Sequence, residues 1–189
     1  IVMDAHNAGL FPLEGINRWL NAIANWCVRA CDYTIVTNSG LADHVEKVGG
    51  RPLILPDSLP KWLREGAQLT KSPSLTFICS WAADEPFLEV FQACELIDSR
   101  ITVFVTGKPG KVIEESGSSN FPANVVLTGF LSEEDFVLRL QESWAIIDLT
   151  TREDCLVCGA YEATALGKPL ILSETASLKE YFGLGAIFT

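Results

Sequence analysis

Two carboxylates eight residues apart, Asp154 and Glu162, flank Gly159 in the run Asp154-Cys-Leu-Val-Cys-Gly-Ala-Tyr-Glu162. The first precedes a predicted helix and the second lies inside it. A carboxylate accepts two hydroxyl hydrogen bonds at once, and charge makes those bonds stronger. The opening turn of a helix leaves N–H groups free and carries partial positive charge, which suits a phosphate. Together these features fit a ligand with hydroxyls at one end and phosphate at the other. Ser80, Thr106-Gly107-Lys108, Gly129 and Arg152 fall in loops that follow predicted strands, and ligands of open parallel sheets bind at the carboxyl ends of strands.

Other reactive side chains read more plainly. Cys27, Cys31 and Cys79 are expected to be buried thiols, because they sit among apolar neighbours. Cys155 and Cys158 form a lone C-x-x-C, and no second pair supplies the four ligands of a structural zinc. His44 reads as a surface helix residue. Trp19, Trp26, Trp62, Trp81 and Trp144 read as core or linker packing. Of these, Trp81 stands at a strand end, where a sugar could stack.

The elements that must position these residues alternate between short β-branched runs and helical stretches, the pattern of a parallel α/β sheet. A strand ends near Met3, and Asp4–Asn7 forms a loop. A helix is expected from Gly15 to Cys31, with Leu20, Ile23, Ala24, Cys27, Val28 and Cys31 on one face. Tyr33–Thr37 reads as a strand. Asn38 or Ser39 caps a helix through Val48, which Gly49-Gly50 ends. Pro52–Leu55 is another strand. Residues 56–73 carry three prolines and read as a connection between domains, with a helical turn at Trp62–Glu65. A second block follows. Its expected strands are Leu75–Cys79, Ile101–Thr106, Val125–Leu127, Ala145–Leu149, Pro169–Leu172 and Ala186–Phe188. Its expected helices are Glu85–Ile97, one capped by Ser132 with Asp135, and Gly159–Leu166 closed by Gly167.

The spacing of Asp154 and Glu162, followed by Ala163-x-Ala165-x-Gly167-x-Pro169, resembles the E-x7-E motif of retaining GT-B glycosyltransferases of the bacterial group 1 superfamily. Asp4-Ala-His6-Asn7, Thr34–Ser39, Leu53–Asp57, Thr106-Gly107 and Thr128-Gly129 are similar to further pieces of that family, in its order. The resemblance implies an α/β fold: a Rossmann-like C-terminal donor domain at 74–189, preceded by a linker at 56–73 and a partial Rossmann-like acceptor-side domain at 1–55. It implies that Glu162 grips the ribose, and that Asp154 and His6 stand at the donor sugar as catalytic residues. Ser80, Thr106, Gly107, Lys108, Gly129, Arg152 and Gly159 are the implied nucleotide-sugar-binding set. No metal or other cofactor is implied. One feature departs from the family, whose Arg and Lys after the first C-terminal strand hold the diphosphate. Here no Lys, Arg or His occurs from Ser72 to Ser99, so the expected substitutes are backbone N–H groups, Lys108 or Arg152.

The 189 residues are 48% hydrophobic and carry a net charge of -10. That composition supports a packed core and argues against disorder. The acidity, with no basic face, excludes a nucleic-acid binder. No apolar run approaches the length of a membrane span, and Asp4 and His6 interrupt the only apolar opening. The expected setting is cytoplasmic, or peripheral to the inner face of a membrane. Against the family the sequence reads as incomplete at both ends, so a homodimer or a completing partner chain is expected.

The expected function is transfer of a sugar from a UDP-, GDP- or ADP-sugar to a glycan or lipid-linked acceptor. The alternatives are a non-catalytic nucleotide or nucleotide-sugar binding module, one half of a split enzyme, or a sugar-nucleotide epimerase.

Overall fold

A computed structural model of the chain describes residues 1–62, 72–109 and 121–189. The chain divides into two compact units. The first comprises Ile1–Ser58, Glu153–Leu156 and Thr175–Tyr181, and the second comprises Leu59–Arg152, Val157–Glu174 and Phe182–Thr189.

The first unit holds a three-stranded parallel sheet in the order β1 (Val2–Asp4), β2 (Tyr33–Val36), β3 (Pro52–Ile54). A short helix α1 (Asn7–Leu10) and a 3-10 turn (Pro12–Gly15) precede α2 (Arg18–Ala30). The helix expected from Gly15 therefore starts three residues later. Asn17 sets that start, accepting the N–H groups of Trp19 and Leu20 at 3.0 and 3.2 Å. Asn38 caps α3 (Ser39–Lys47) through Leu41 N–H at 3.0 Å. Val28, Val36, Leu41 and Val45 form the core of this unit.

The face expected to be buried on α2 is turned differently. Ala24 and Val28 point inward, whereas Ile23 is exposed and Trp19 and Trp26 are 83% and 66% exposed. Cys27 and Cys31 are half-buried thiols rather than core residues.

The second unit is a six-stranded parallel sheet in the order β6-β5-β4-β7-β8-β9. Its strands are β4 (Ser74–Phe77), β5 (Thr102–Thr106), β6 (Val125–Gly129), β7 (Ala145–Asp148), β8 (Leu170–Leu172) and β9 (Ala186–Phe188). Its helices are α4 (Phe87–Leu96), α5 (Glu133–Glu142) and α6 (Cys158–Leu166). A further helix, α7 (Ala176–Phe182), lies almost wholly among residues of the first unit. No helix was expected there from sequence.

From β4 the chain winds outward through α4 to β5, and from β7 it winds the other way through α6 to β8. Right-handed crossovers in opposite directions place α4 and α6 on opposite faces of the sheet. Phe77, Val103, Val105 and Ile147 pack with Phe87, Val90 and Phe91 on the α4 side. The strand order reverses between β4 and β7, which is where a doubly wound sheet opens a crevice at its carboxyl edge.

Ser132 caps α5 as expected, accepting Asp135 N–H at 3.2 Å. Gly167 closes α6 in the left-handed conformation, φ 67°. The helical turn expected at Trp62–Glu65 and the last residue of the Gly107–Gly110 loop lie outside the described residues.

Candidate active site at the carboxyl edge of the second sheet

The loops after β4 and β5 are locked to each other. Cys79 N–H donates to Thr106 Oγ1 at 3.0 Å, and Thr106 Oγ1 lies 3.3 Å from Cys79 O. Both hydrogen-bonding faces of the Thr106 hydroxyl are engaged by the neighbouring strand. Gly107 has φ 75°. A Cβ there would press on the Cys79 carbonyl and come within 3.1 Å of the Trp81 ring. Glycine is required at 107 on both counts. Gly129, φ 70°, bridges back to Gly107.

Trp81 is the one non-glycine residue with positive φ, 65°, among the described residues. That conformation costs about 1–2 kcal/mol for an L-residue. Packing offsets it. The indole is buried against Phe87 and Phe91, with ring centroids at 5.3 and 6.0 Å, and its Nε1 donates to Thr106 O at 3.0 Å. Trp81 is therefore an anchor for the loop and offers no face for stacking.

Glu85 organises the rest of this loop. Its carboxylate accepts Ser80 N–H at 2.9–3.0 Å, Ala82 N–H at 3.0 Å and the Ser80 hydroxyl at 2.8 Å. The Cys79 thiol donates to it at 3.2 Å. Burial first, and the charge of Glu85 second, push that thiol well above the usual cysteine range, so it stays protonated.

Asp84 reaches across to the β7 loop. It accepts the Thr150 hydroxyl at 2.8 Å and pairs with Arg152 at 3.2 Å, and its carbonyl takes Thr151 N–H at 2.7 Å. Arg152 is thus already neutralised by a carboxylate.

At the end of β7, Asp148 is buried. It accepts the N–H of Gly159, in the first turn of α6. A Cβ on Gly159 would collide with this carboxyl and with the end of Ile78. Burial raises the Asp148 acid well above the ordinary carboxylate range, and the charges of Glu85, Glu162 and Asp84 act in the same direction. Neither Asp148 nor Glu85 stood out in the sequence. An acid closing the apolar run Ala145–Asp148 was the signal that could have marked the first.

Glu162 stands one turn into α6. It is half-buried rather than solvated, and burial raises its acid above the usual glutamate range. Glu162, Ser80, Gly107, Lys108 and Cys79 line one cavity of about 630 Å³, together with Leu131, Glu133 and the rings of Trp62, Phe130 and Phe136. That size and mix of apolar wall with a few polar groups fit a small-molecule site.

The remaining expected residues belong to the first unit. His6 lies 3.9 Å from Asp4, and both are exposed. Asp154 does not cap α6, whose N-cap position is held by Val157. Its carboxylate lies instead against Gly40, at the start of α3, and its carbonyl accepts Asn38 Nδ2 at 3.2 Å. His44, expected on the surface, is half-buried on the Phe11 ring at 4.4 Å, with Nε2 buried and unpartnered. Burial holds its pKa below the usual histidine value, assisted by Lys47 and opposed by Asp154.

A doubly wound sheet with a cavity at its carboxyl edge, in a chain that also holds a second parallel α/β unit, is the GT-B fold. Solved structures bear this out. The chain aligns with Anabaena Alr3699/HepE in complex with UDP and glucose at TM-score 0.76 and 13% identity, covering 100% of this chain and 57% of that one. Sucrose-phosphate synthase from Thermosynechococcus elongatus matches at TM-score 0.75 and 11% identity, covering 99% and 54%. The apo lipopolysaccharide outer core galactosyltransferase WaaB matches at TM-score 0.63 and 16% identity, covering 88% and 50%. The chain thus spans about half the length of these proteins, and it shares their fold. No protein-family model matches the sequence, and no curated protein matches it.

Proposed function

We propose that the chain is the donor-binding portion of a glycosyltransferase of retaining type, which takes its sugar from a nucleotide-sugar and delivers it to a glycan or lipid-linked acceptor. The observation that carries this reading is the cavity at the carboxyl edge of the second sheet, with Glu162, Ser80, Gly107 and Lys108 in its wall. Two further observations support it. Gly159 opens α6 toward the carboxyl edge of the sheet, and solved structures of HepE, which shares the fold, contain UDP or UDP-glucose.

In this reading residues 74–189 bind the donor and residues 1–55 lie on the acceptor side. Glu162 takes the ribose hydroxyls, and Lys108 meets the phosphates. His6 and Asp154 are our candidates for the chemistry on the sugar. No step is assigned to a metal.

The test is calorimetric titration with UDP-, GDP- and ADP-glucose, for the wild type and Glu162→Gln. One of the three donors is expected to bind. The variant keeps the shape and loses the charge, so it should bind more weakly by about 1.5–3 kcal/mol, the range for a hydrogen bond to a charged group. Equal affinity in the two proteins removes Glu162 from the site.

A second reading, a binding module without turnover, is favoured by one observation. Arg152, a candidate for the missing phosphate clamp, is paired with Asp84. Release of UDP from UDP-glucose in the presence of acceptor separates the two readings.

A further inference from the structure

The turn after β4 has the form of an anion site. Ser80 N–H and Ala82 N–H converge on one oxygen of the Glu85 carboxylate, and the Ser80 hydroxyl and Ser80 N–H meet the other. Trp81, between the two amides, is left-handed. Successive N–H groups turned inward by such a change of backbone hand form a concavity that binds phosphates and other anions. Here it is already full, because the carboxylate of Glu85 sits in it and takes all three donors. The protonated Cys79 thiol adds a fourth donor.

We propose that Glu85 is a built-in anion, whose carboxylate fills a backbone turn that would otherwise accept a phosphoryl oxygen and so directs a ligand's phosphates to the Lys108 rim of the cavity. The charges around the turn agree. No cationic residue occurs from Ser72 to Ser99. Glu85, Glu162 and Asp84 all lie close enough to the buried Asp148 for their charges to raise its acid. Among the described lining residues of the cavity, Lys108 is the one cation, and it stands at the end of β5 rather than β4. A phosphate brought to the β4 turn would meet a carboxylate. Brought to the β5 end, it meets an ammonium group. Glu85 is thereby a specificity-determining residue: it reserves the β4 side of the cavity for the uncharged part of the ligand.

The turn does not depend on Glu85 for its shape. The Trp81 indole is held by Phe87, Phe91 and the Thr106 carbonyl, independently of the carboxylate. Removing the side chain should therefore leave the amides in place and vacant. This rests on the reading above only in placing a phosphate-bearing ligand at the cavity, and its test uses a different probe.

The experiment is calorimetric titration of inorganic pyrophosphate into the wild type, Glu85→Ala, Glu85→Gln and Lys108→Ala, with melting curves on each. Glu85→Ala should bind pyrophosphate about tenfold more tightly than the wild type. Glu85→Gln still fills the turn, so it should gain little. Lys108→Ala should bind about tenfold more weakly. A folded Glu85→Ala that binds no more tightly than the wild type overturns the proposal. So does a Lys108→Ala protein that binds as well as the wild type, and that arm decides alone if Glu85→Ala does not fold. Failure of the wild type to bind any nucleotide-sugar, with the Glu85→Ala gain intact, would count against the donor reading and leave the anion turn standing.

Discussion

Gly159→Ala tests the junction of β7 with α6, on which the placement of Glu162 depends. Two effects of opposite sign meet there. Alanine is the better helix former, by about 0.8–1.0 kcal/mol in a helix interior and less in a first turn. Gly159 is not in the left-handed region, so no backbone strain arises. Against that gain, the new Cβ would overlap the Asp148 carboxyl and lie 2.5 Å from Ile78 Cδ1. The Ile78 methyl is the flexible end of its side chain and can rotate away. The carboxyl is buried and accepts the Gly159 N–H, so moving it strains or breaks a buried hydrogen bond, a cost of about 1–3 kcal/mol. Overpacking of a tight site costs a similar amount. The collision should win, leaving the variant less stable by about 1–3 kcal/mol. At about 2–4 °C per kcal/mol for a chain of this size, the melting point should fall by roughly 2–12 °C. Gly185→Ala, where an added Cβ meets nothing within 4 Å, is the control and should melt like the wild type. Thermal denaturation followed by circular dichroism reads both. A Gly159→Ala protein as stable as the wild type, or more so, would refute the contact between Asp148 and α6.

Asp148→Asn keeps the acceptor for Gly159 N–H and removes the titration. An acid raised in the folded chain holds its proton where the unfolded chain, with a pKa of about 3.9, has lost it. Wild-type stability therefore falls as pH rises from about 4 toward the folded pKa. The Asn variant should be the more stable protein at pH 7.5, and the difference should shrink at pH 4.5, as read from urea midpoints. For His44 the sign is opposite. Its folded pKa is depressed, so its neutral form stabilises the fold above the unfolded value of about 6.5, and that contribution is lost as pH falls through it. His44→Gln should flatten the acid side of the stability profile near pH 6, and an unchanged profile would remove His44 as a source of it.

The local signals in the sequence were read faithfully by the fold. Asn38 and Ser132 cap the helices they precede, and Gly167 ends α6, because capping is decided by residues three or four apart. The parallel order of the second sheet follows from strand–helix alternation. What the sequence did not disclose is long-range. Glu85 reads as an acid before a helix, and only the turn back over Ser80 and Ala82 shows which donors it meets. Arg152 reads as a free cation until Asp84, sixty-eight positions away, is seen beside it. On α2 the periodicity offered one apolar face from Leu20 to Cys31, and packing buries only Ala24 and Val28 of it and leaves Ile23 exposed. The helix α7 went unread although Thr175, which accepts Leu178 N–H at 3.3 Å, was a capping signal of the ordinary kind.

Amide hydrogen exchange with and without UDP-glucose tests the donor site most directly. Bound nucleotide-sugar should slow exchange in the loops at Cys79–Ala82 and Gly107–Lys108 and in the first turn of α6, Cys158–Glu162, and should slow it less in Glu162→Gln. Protection absent from all three segments, or found only within Ile1–Ser58, would contradict a donor site at the carboxyl edge of the second sheet.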